Sequence, residues 1–207
     1  MPQIQKFLKQ TSILELMNLT NSSGGDIMGT KALLVIDIQE DNTGKTARKP
    51  LPYKNSAELI NNVNVVINDC KEKNFVVIYI KHEIENNLFN RILAGRLIKN
   101  TNGSEIDSKI NIISNYIYSK NKGDAFSNLK LGDFFKQRDI DEVFIVGLDA
   151  SACVLKTSIG AKTRGYKVVV IKDAITTMNM SKMPKLLNKY LEQGIELATI
   201  KEFQKIC

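Results

Sequence analysis

The stretch that decides the fold is EVFIVGLDASACVLKTSIGAKTRGY, residues 142–166. It opens with the apolar run Val143–Val146, closed by Gly147, which is typical of a strand buried on both faces. Small and apolar residues at helical spacing follow a tight connection, and Gly165 ends the predicted helix. The stretch therefore predicts one strand–helix unit of an α/β fold.

The same alternation of strand and helix continues along the chain in both directions. Further apolar runs predict strands at Lys31–Gln39, Phe75–Ile80, Tyr116–Tyr118, Val168–Ile171 and Ile195–Ile200. Helical spacing of apolar residues predicts helices at Ser56–Asn74, Leu129–Arg138 and Ser181–Gln193. Strands that alternate with helices, without hairpin turns, form parallel sheets through right-handed crossovers. We therefore expect a mostly parallel sheet of about six strands.

Length and composition indicate one domain. The chain has 207 residues, of which 43% are hydrophobic and 25% charged, and this is enough for a sizeable core. We expect the domain to span residues 28–207. Residues 1–27 carry only a loose amphipathic pattern and a polar linker with two glycines, so we interpret them as an N-terminal extension. A short helix that docks on a partner subunit is the alternative for this segment.

Charge and cysteine content exclude several classes of protein. The 29 Lys and Arg residues against 22 Asp and Glu give a formal net charge of +7. These basic residues are spread along the chain and form no nucleic-acid-binding motif, so we expect no nucleic-acid partner. No apolar run reaches the roughly 18 residues of a membrane span, so we expect no membrane association. Three scattered cysteines form neither a disulfide framework nor a zinc motif, which predicts a cytoplasmic protein.

The most informative polar residue is Cys153, at the start of the helix in the opening stretch, with Ser151 as the expected N-cap. The first turn of a helix offers unpaired backbone N–H groups and the positive end of the helix dipole, and both favour a thiolate of lowered pKa. The same N–H groups would hold the oxyanion that forms when the sulfur attacks a carbonyl. The alternative for Cys153 is a small buried side chain without a chemical role.

Two further polar residues stand at the carboxyl ends of predicted strands, as Cys153 does. These residues are Asp37 and Lys120, and parallel strands bring such ends to one edge of a sheet. Lys120 would favour the thiolate by charge, and Asp37 would take the thiol proton and deliver it to a leaving amine. A cap of the following loop is the alternative for Asp37. We predict that the three residues form a catalytic group and that the reaction passes through a thioester.

Four segments resemble the isochorismatase-like cysteine hydrolases in sequence and in order. They are ALLVIDIQ at 32–39, VIYIKHE at 77–83, SKNKGDAF at 119–126 and IVGLDASACVLKTSIGAKTRGYKVVVIKDA at 145–174. This superfamily includes nicotinamidases, N-carbamoylsarcosine amidohydrolases, and ureidoacrylate and biuret hydrolases. The resemblance spans residues 31–200 and implies a three-layer α-β-α sandwich, a small-molecule substrate, and a homodimer or homotetramer. It also places Asp37, Lys120 and Cys153 on the catalytic triad of the family.

The resemblance also implies how the pocket around the nucleophile is built. A non-proline cis peptide bond is expected between Leu148 and Asp149, so that the backbone N–H groups of Asp149 and Cys153 face the oxyanion. Further candidates for the pocket wall, as substrate-binding residues, are Gln39, His82 and Phe126. A local hydrogen bond at the end of its strand is the alternative for His82. The loops Asp41–Tyr53 and Glu85–Asp107 are expected to shape the pocket.

Two departures from the family narrow the prediction. Nicotinamidases carry a metal-binding Asp-x-His and further histidines after the first strand, whereas residues 41–53 contain no histidine and His82 is the only one in the chain. We therefore expect no metal and no cofactor. Members that hydrolyse the vinyl ether of isochorismate often lack the cysteine, so Cys153 favours cleavage of a C–N bond in a small amide, ureido or carbamoyl compound. The alternatives are ether hydrolysis with Asp37 as a general acid, and a non-catalytic or redox-sensing relative.

Overall fold

The computed structural model describes residues 30–46 and 53–206, and within them six strands form one parallel sheet. The predicted extension, residues 1–27, lies outside the described residues. The strands are β1 (Thr30–Ile36), β2 (Val76–His82), β3 (Ile117–Lys120), β4 (Ile140–Gly147), β5 (Lys167–Ile175) and β6 (Glu196–Ala198). Their spatial order is β3-β2-β1-β4-β5-β6. The predicted parallel sheet is confirmed.

Helices cover both faces of this sheet. They are α1 (Glu40–Thr43), α2 (Ser56–Glu72), α3 (Leu88–Leu93), α4 (Leu129–Gln137), α5 (Cys153–Thr163), α6 (Met183–Glu192) and α7 (Ile200–Gln204). Apolar residues of α2 and α7 pack on one face, and those of α4, α5 and α6 pack on the other. The fold is therefore a three-layer α-β-α sandwich, which the resemblance implied.

Burial on both faces explains why the strands have nearly continuous apolar sequences. In β1, Leu33 and Val35 join the core under α2, whereas Leu34 and Ile36 join the core under α5. A strand with one solvent-facing side would alternate apolar and polar residues instead. Among the described residues, none of the helices combines the length and the hydropathy that crossing a lipid bilayer requires.

The strand order reverses between β1 and β4, and the carboxyl ends of these two strands therefore border a crevice. In open α/β sheets, this switch point is where ligands bind. The two chains approach closely there, because a Cβ on Gly147 would lie 2.2 Å from the carbonyl oxygen of Ile36. Gly147 also has a φ of 117°, which side chains rarely adopt. Only glycine fits this crossing, after which the chain leads to Cys153.

Candidate active site

Asp37 directly follows β1 at the switch point, in an unusual backbone conformation. Its φ of 54° lies in the left-handed region, which Asp tolerates better than most residues. The N–H of Asp37 donates to the carbonyl of Ile80 at 2.9 Å, and its carbonyl accepts from Asn42 Nδ2 at 2.7 Å. Hydrogen bonds from two neighbouring segments therefore hold the backbone that positions the carboxylate.

Lys120, the last residue of β3, joins the predicted catalytic residues through its ammonium group. Its side chain is fully buried, and Nζ donates to Asp37 Oδ2 at 2.8 Å and to Cys153 Sγ at 3.3 Å. The same Nζ lies 3.3 Å from His82 Nδ1. An ammonium has three N–H donors, and here each has one acceptor. Asp37, Lys120, Cys153 and His82 thus form one group of contacts, which we call the carboxyl-end cluster.

The contact with Lys120 also determines the tautomer of the His82 ring. Lys120 has only donors, so Nδ1 of His82 must accept, and the single proton of the neutral ring is on Nε2. Burial, reinforced by the charge of Lys120, lowers the pKa of His82. The strand register explains the contact, because His82 pairs directly with Lys120 across β2 and β3. His82 is therefore a neutral member of the cavity wall, as well as the strand-end hydrogen-bond partner that was the alternative.

Cys153 is the first residue of α5, but the predicted N-cap is wrong. The N-cap position is Ala152, without a side-chain cap. The hydroxyl of Ser151 instead donates to Asp149 Oδ1 at 2.6 Å. An N-cap hydroxyl accepts from a backbone N–H of the first helical turn, whereas this hydroxyl donates to a carboxylate, which is a strong acceptor, one position before the cap.

The pKa of Cys153 moves in the opposite direction from the prediction. Burial and the negative charge of Asp37 raise it to about 11, although Lys120 acts to lower it. The prediction of a lowered pKa is therefore wrong, and with a pKa of about 11 the sulfur keeps its proton at neutral pH. Desolvation, which the sequence pattern does not reveal, outweighs the neighbouring ammonium. Attack by this sulfur requires a base that removes the proton.

Asp37 offers an acceptor for that proton. Its Oδ1 is the buried side-chain polar atom that lacks a hydrogen-bond partner among the described residues. A carboxylate oxygen of Asp37, the sulfur of Cys153 and a ring nitrogen of His82 all lie within 4.8 Å of one another. Buried polar atoms are nearly always paired, so an unpaired carboxylate oxygen beside a thiol marks a position suited to proton transfer.

The expected cis peptide bond between Leu148 and Asp149 is present. Neighbouring hydrogen bonds fix this turn, from Ala150 N–H to the carbonyl of Thr176 at 2.7 Å and from Val154 N–H to the carbonyl of Asp149 at 3.1 Å. The backbone N–H groups of Asp149 and Cys153 form no hydrogen bond with any of the described residues. Both groups are therefore available to a ligand, and their oxyanion role remains a prediction.

The carboxyl-end cluster opens into a cavity of about 320 Å³. Its lining residues are Asp37, Asn42, Tyr53, His82, Ile84, Ala94, Arg96, Leu97, Leu148, Asp149, Cys153 and Met178. Both loops that were expected to shape the pocket contribute to it. No motif or periodicity in the sequence marks single loop residues, so the sequence did not indicate Asn42, Tyr53, Arg96 or Met178 as lining residues.

Gln39 and Phe126 lie outside this cavity. Gln39 is fully buried, and its amide binds the backbone of His82 and of Ser104, so it ties the end of β1 to two neighbouring segments. Phe126 is 1% exposed and packs against the rings of Phe135 and Tyr166. The side chains of these two residues, which were predicted to bind substrate, instead make contacts within the protein.

Three donor groups at the site are of the kinds that bind metal ions: the Asp37 carboxylate, the His82 ring and the Cys153 sulfur. All three, however, contact the ammonium of Lys120. A metal ion would have to displace this built-in cation from the same acceptors. The donor set therefore does not suit a resident metal while Lys120 is in place.

Comparisons with known proteins agree with this geometry. The family model described as the isochorismatase domain matches residues 31–202. Isochorismatase family protein 2A of Dictyostelium discoideum is 26% identical over 172 residues, covering 82% of this chain and 78% of that protein. Nicotinamidase 3 of Arabidopsis thaliana is 26% identical over 156 residues, covering 72% of this chain and 74% of that enzyme.

A solved structure shows the same fold. The N-carbamoylsarcosine amidase from Thermoplasma acidophilum superposes with a TM-score of 0.70 at 22% identity, covering 84% of this chain and 98% of that one. At this identity the match concerns the arrangement of helices and strands, and the chemistry has to be argued from the residues.

Proposed function

This chain belongs to the isochorismatase family, and from that membership we propose that it is a hydrolase that cleaves a C–N bond of a small amide, ureido or carbamoyl compound. Relatives named nicotinamidase and N-carbamoylsarcosine amidase support this reaction class. One observation carries the proposal: the Asp37 carboxylate, whose buried Oδ1 has no hydrogen-bond partner among the described residues, has an oxygen within 4.8 Å of the Cys153 sulfur, and both residues line a cavity of about 320 Å³.

The first half of the reaction forms a thioester. Asp37 Oδ1 takes the thiol proton as the sulfur of Cys153 bonds to the substrate carbonyl carbon. The carbonyl electron pair moves to oxygen, and the N–H groups of Asp149 and Cys153 hold this oxyanion. The oxyanion then re-forms the carbonyl, the C–N bond breaks, and Asp37 returns the proton to the leaving nitrogen.

The second half releases the acid. A water molecule attacks the thioester while Asp37 accepts one of its protons, and the C–S bond breaks as that proton returns to sulfur. The Nζ of Lys120 holds the Asp37 carboxylate in place through its hydrogen bond and stabilises negative charge on sulfur in the transition state. No step requires a metal or an organic cofactor.

The raised pKa of Cys153 separates this proposal from one alternative. Redox-sensing cysteines are accessible and have low pKa values, whereas burial and Asp37 raise the pKa of Cys153 to about 11. A thiol of this kind reacts when a base takes its proton during attack, which suits a hydrolase better than a sensor. The alternative is an ether hydrolase that uses Asp37 without the thiol. No described feature of the cavity specifically favours this reaction.

Ammonia release from a panel of primary amides and ureido compounds tests the proposal. We expect replacement of Cys153 by Ala to lower the rate by on the order of 10⁴-fold or more, because it removes the nucleophile. Cys70→Ala is the matched control: Cys70 is fully buried in the core under α2, and its loss should leave the rate nearly unchanged.

A covalent adduct on Cys153, detected by mass spectrometry after acid quenching, would support the thioester directly. Undiminished turnover in Cys153→Ala would contradict the covalent scheme and favour ether or water-attack chemistry at Asp37. The homodimer or homotetramer that the resemblance implies also remains a proposal, and sedimentation velocity would test it.

A further inference from the structure

Arg96 is a half-buried cation in the same cavity as Cys153, and no described carboxylate lies within ion-pair distance of it. Its one hydrogen bond runs from Nη2 to the neutral amide oxygen of Asn42 at 2.7 Å. A guanidinium carries five N–H donors, so most of its hydrogen-bonding capacity is unused by the described residues. Residues 47–52, ARKPLP, which the structure does not describe, contain no acidic side chain.

Both carboxylates of the cavity interact with groups other than Arg96. Asp37 pairs with Lys120 through Oδ2 at 2.8 Å. Asp149 accepts from Ser151 twice through Oδ1, and from Tyr53 and the N–H of Met178 through Oδ2. Arg96 therefore has no carboxylate partner in this cavity. It borders both this cavity and the neighbouring one, and its charge acts to lower the pKa of His82 and of Tyr53, which line the cavity with Cys153.

The hydrogen bond to Asn42 connects the guanidinium of Arg96 to Asp37, the predicted base. Asn42 is buried, and its Nδ2 donates to the carbonyl of Asp37 at 2.7 Å. Arg96 is thereby linked to the backbone of the predicted base through one intervening side chain. A positive group held at a defined distance from Asp37 and Cys153 suits recognition of a second functional group on a substrate whose carbonyl lies at the sulfur.

We propose that Arg96 binds a carboxylate of the substrate, so that the substrates are small amide or ureido acids rather than neutral amides. This inference rests on the proposed hydrolase function. A planar carboxylate matches the parallel N–H groups of a guanidinium, and partial burial limits screening of the charges by salt. Arg96 is the one Lys or Arg among the described residues that line this cavity, and the lining residues Ala94 and Leu97 near it in the chain are apolar.

Binding to an inactive variant tests this inference without turnover. The protein is Cys153→Ala, and the probes are N-carbamoylglycine and ethylurea, which share the ureido group and differ in carboxylate against methyl. By calorimetry, we expect N-carbamoylglycine to bind about 10- to 100-fold more tightly than ethylurea, as for hydrogen bonds to charged groups. The difference should shrink only modestly as salt is raised, because the partial burial of Arg96 limits screening.

A second substitution in the same background assigns the effect to Arg96. Adding Arg96→Gln should bring the affinity for N-carbamoylglycine down to that for ethylurea, and Arg96→Lys should restore part of it. Arg91→Gln is the matched control, because Arg91 borders the neighbouring cavity and does not line the one that holds Cys153. Circular dichroism of each variant checks the fold, and Arg96→Lys remains informative if Arg96→Gln is unstable.

Equal affinity of the two probes, no measurable binding of N-carbamoylglycine, or an unchanged preference in Arg96→Gln would each overturn the inference. Ammonia release by the wild-type enzyme tests the hydrolase proposal separately. Faster hydrolysis of neutral amides than of their carboxylate-bearing counterparts would leave that function standing and refute the role of Arg96.

Discussion

Two clusters of charged side chains lie at opposite ends of the sheet. The carboxyl-end cluster contains Asp37 and Lys120. The other, which we call the amino-end cluster, consists of Lys31, Glu142 and Lys167, which are direct neighbours in the register of β1, β4 and β5. Both place one carboxylate against lysine ammonium groups, and only one of them adjoins a cavity with a thiol.

The difference lies in how completely each carboxylate is paired. Glu142 binds Lys31 through one oxygen at 3.1 Å and Lys167 through the other at 2.9 Å. Burial alone would raise the pKa of Glu142, but the hydrogen bonds from Lys167 and Lys31 outweigh it and lower the pKa. Asp37 pairs through one oxygen and leaves the other buried and unpaired. A carboxylate with both oxygens paired stabilises the fold, whereas one with a free oxygen can also accept a proton.

The largest expected difference between the two clusters is in the effect of a substitution on turnover. Replacing Asp37 by Asn removes the proton acceptor, so we expect kcat/KM for ammonia release to fall by about 10²- to 10⁴-fold. Glu142→Gln removes the corresponding charge from the amino-end cluster and should leave kcat/KM within about twofold. Similar losses in both variants would show that the two clusters act only through stability.

The next effect is on the free energy of unfolding. Lys120→Met leaves the Asp37 carboxylate buried without its partner, and we expect a loss of about 3–5 kcal/mol in urea denaturation. Lys31→Met removes one of two partners of Glu142 near the surface, and should cost only about 0–1 kcal/mol. A cost below about 1 kcal/mol for Lys120→Met would mean that the buried pair contributes little to the fold.

The third effect concerns the reactivity of Cys153. With its pKa raised to about 11, the thiolate fraction at pH 8 is about one in a thousand, so alkylation by iodoacetamide should be slow and rise about tenfold per pH unit between pH 7 and 10. Asp37 raises this pKa, so Asp37→Asn should alkylate faster at each pH although it has lost activity. Peptide-resolved mass spectrometry separates Cys153 from the other cysteines. A plateau below pH 8 would contradict the resting thiol.

The smallest effect is the pH dependence of the amino-end cluster. The pKa of Glu142 is lowered in the folded protein from an ordinary value of 4.5, so its ion pairs stabilise the fold above that pH and are lost as pH falls through the folded-state value. The difference in unfolding midpoint between wild type and Glu142→Gln should therefore be present at pH 6 and shrink below pH 4.5. A difference independent of pH would assign it to packing instead.

At the carboxyl ends of the strands, the sequence alone predicted which polar residues would meet. Asp37, Lys120 and Cys153 each follow or end an apolar run, and parallel pairing leaves few places for such residues except one sheet edge. The structure brings these three side chains into contact. Gln39 also lies close to the end of β1, but its amide forms hydrogen bonds with the backbone of His82 and Ser104. Position along a strand does not reveal what a side chain will meet across a loop.

The sequence by itself determined the α/β class, the parallel sheet and the edge at which the polar residues gather, because hydrophobic periodicity and the alternation of strands with helices follow from local residue choice. The tertiary structure alone decided the protonation state of Cys153, the unpaired oxygen of Asp37 and the approach of Arg96 to the cavity. These depend on desolvation and on contacts between segments far apart in the chain. Burial by distant residues sets the free energy of a charge, and no local pattern contains that information.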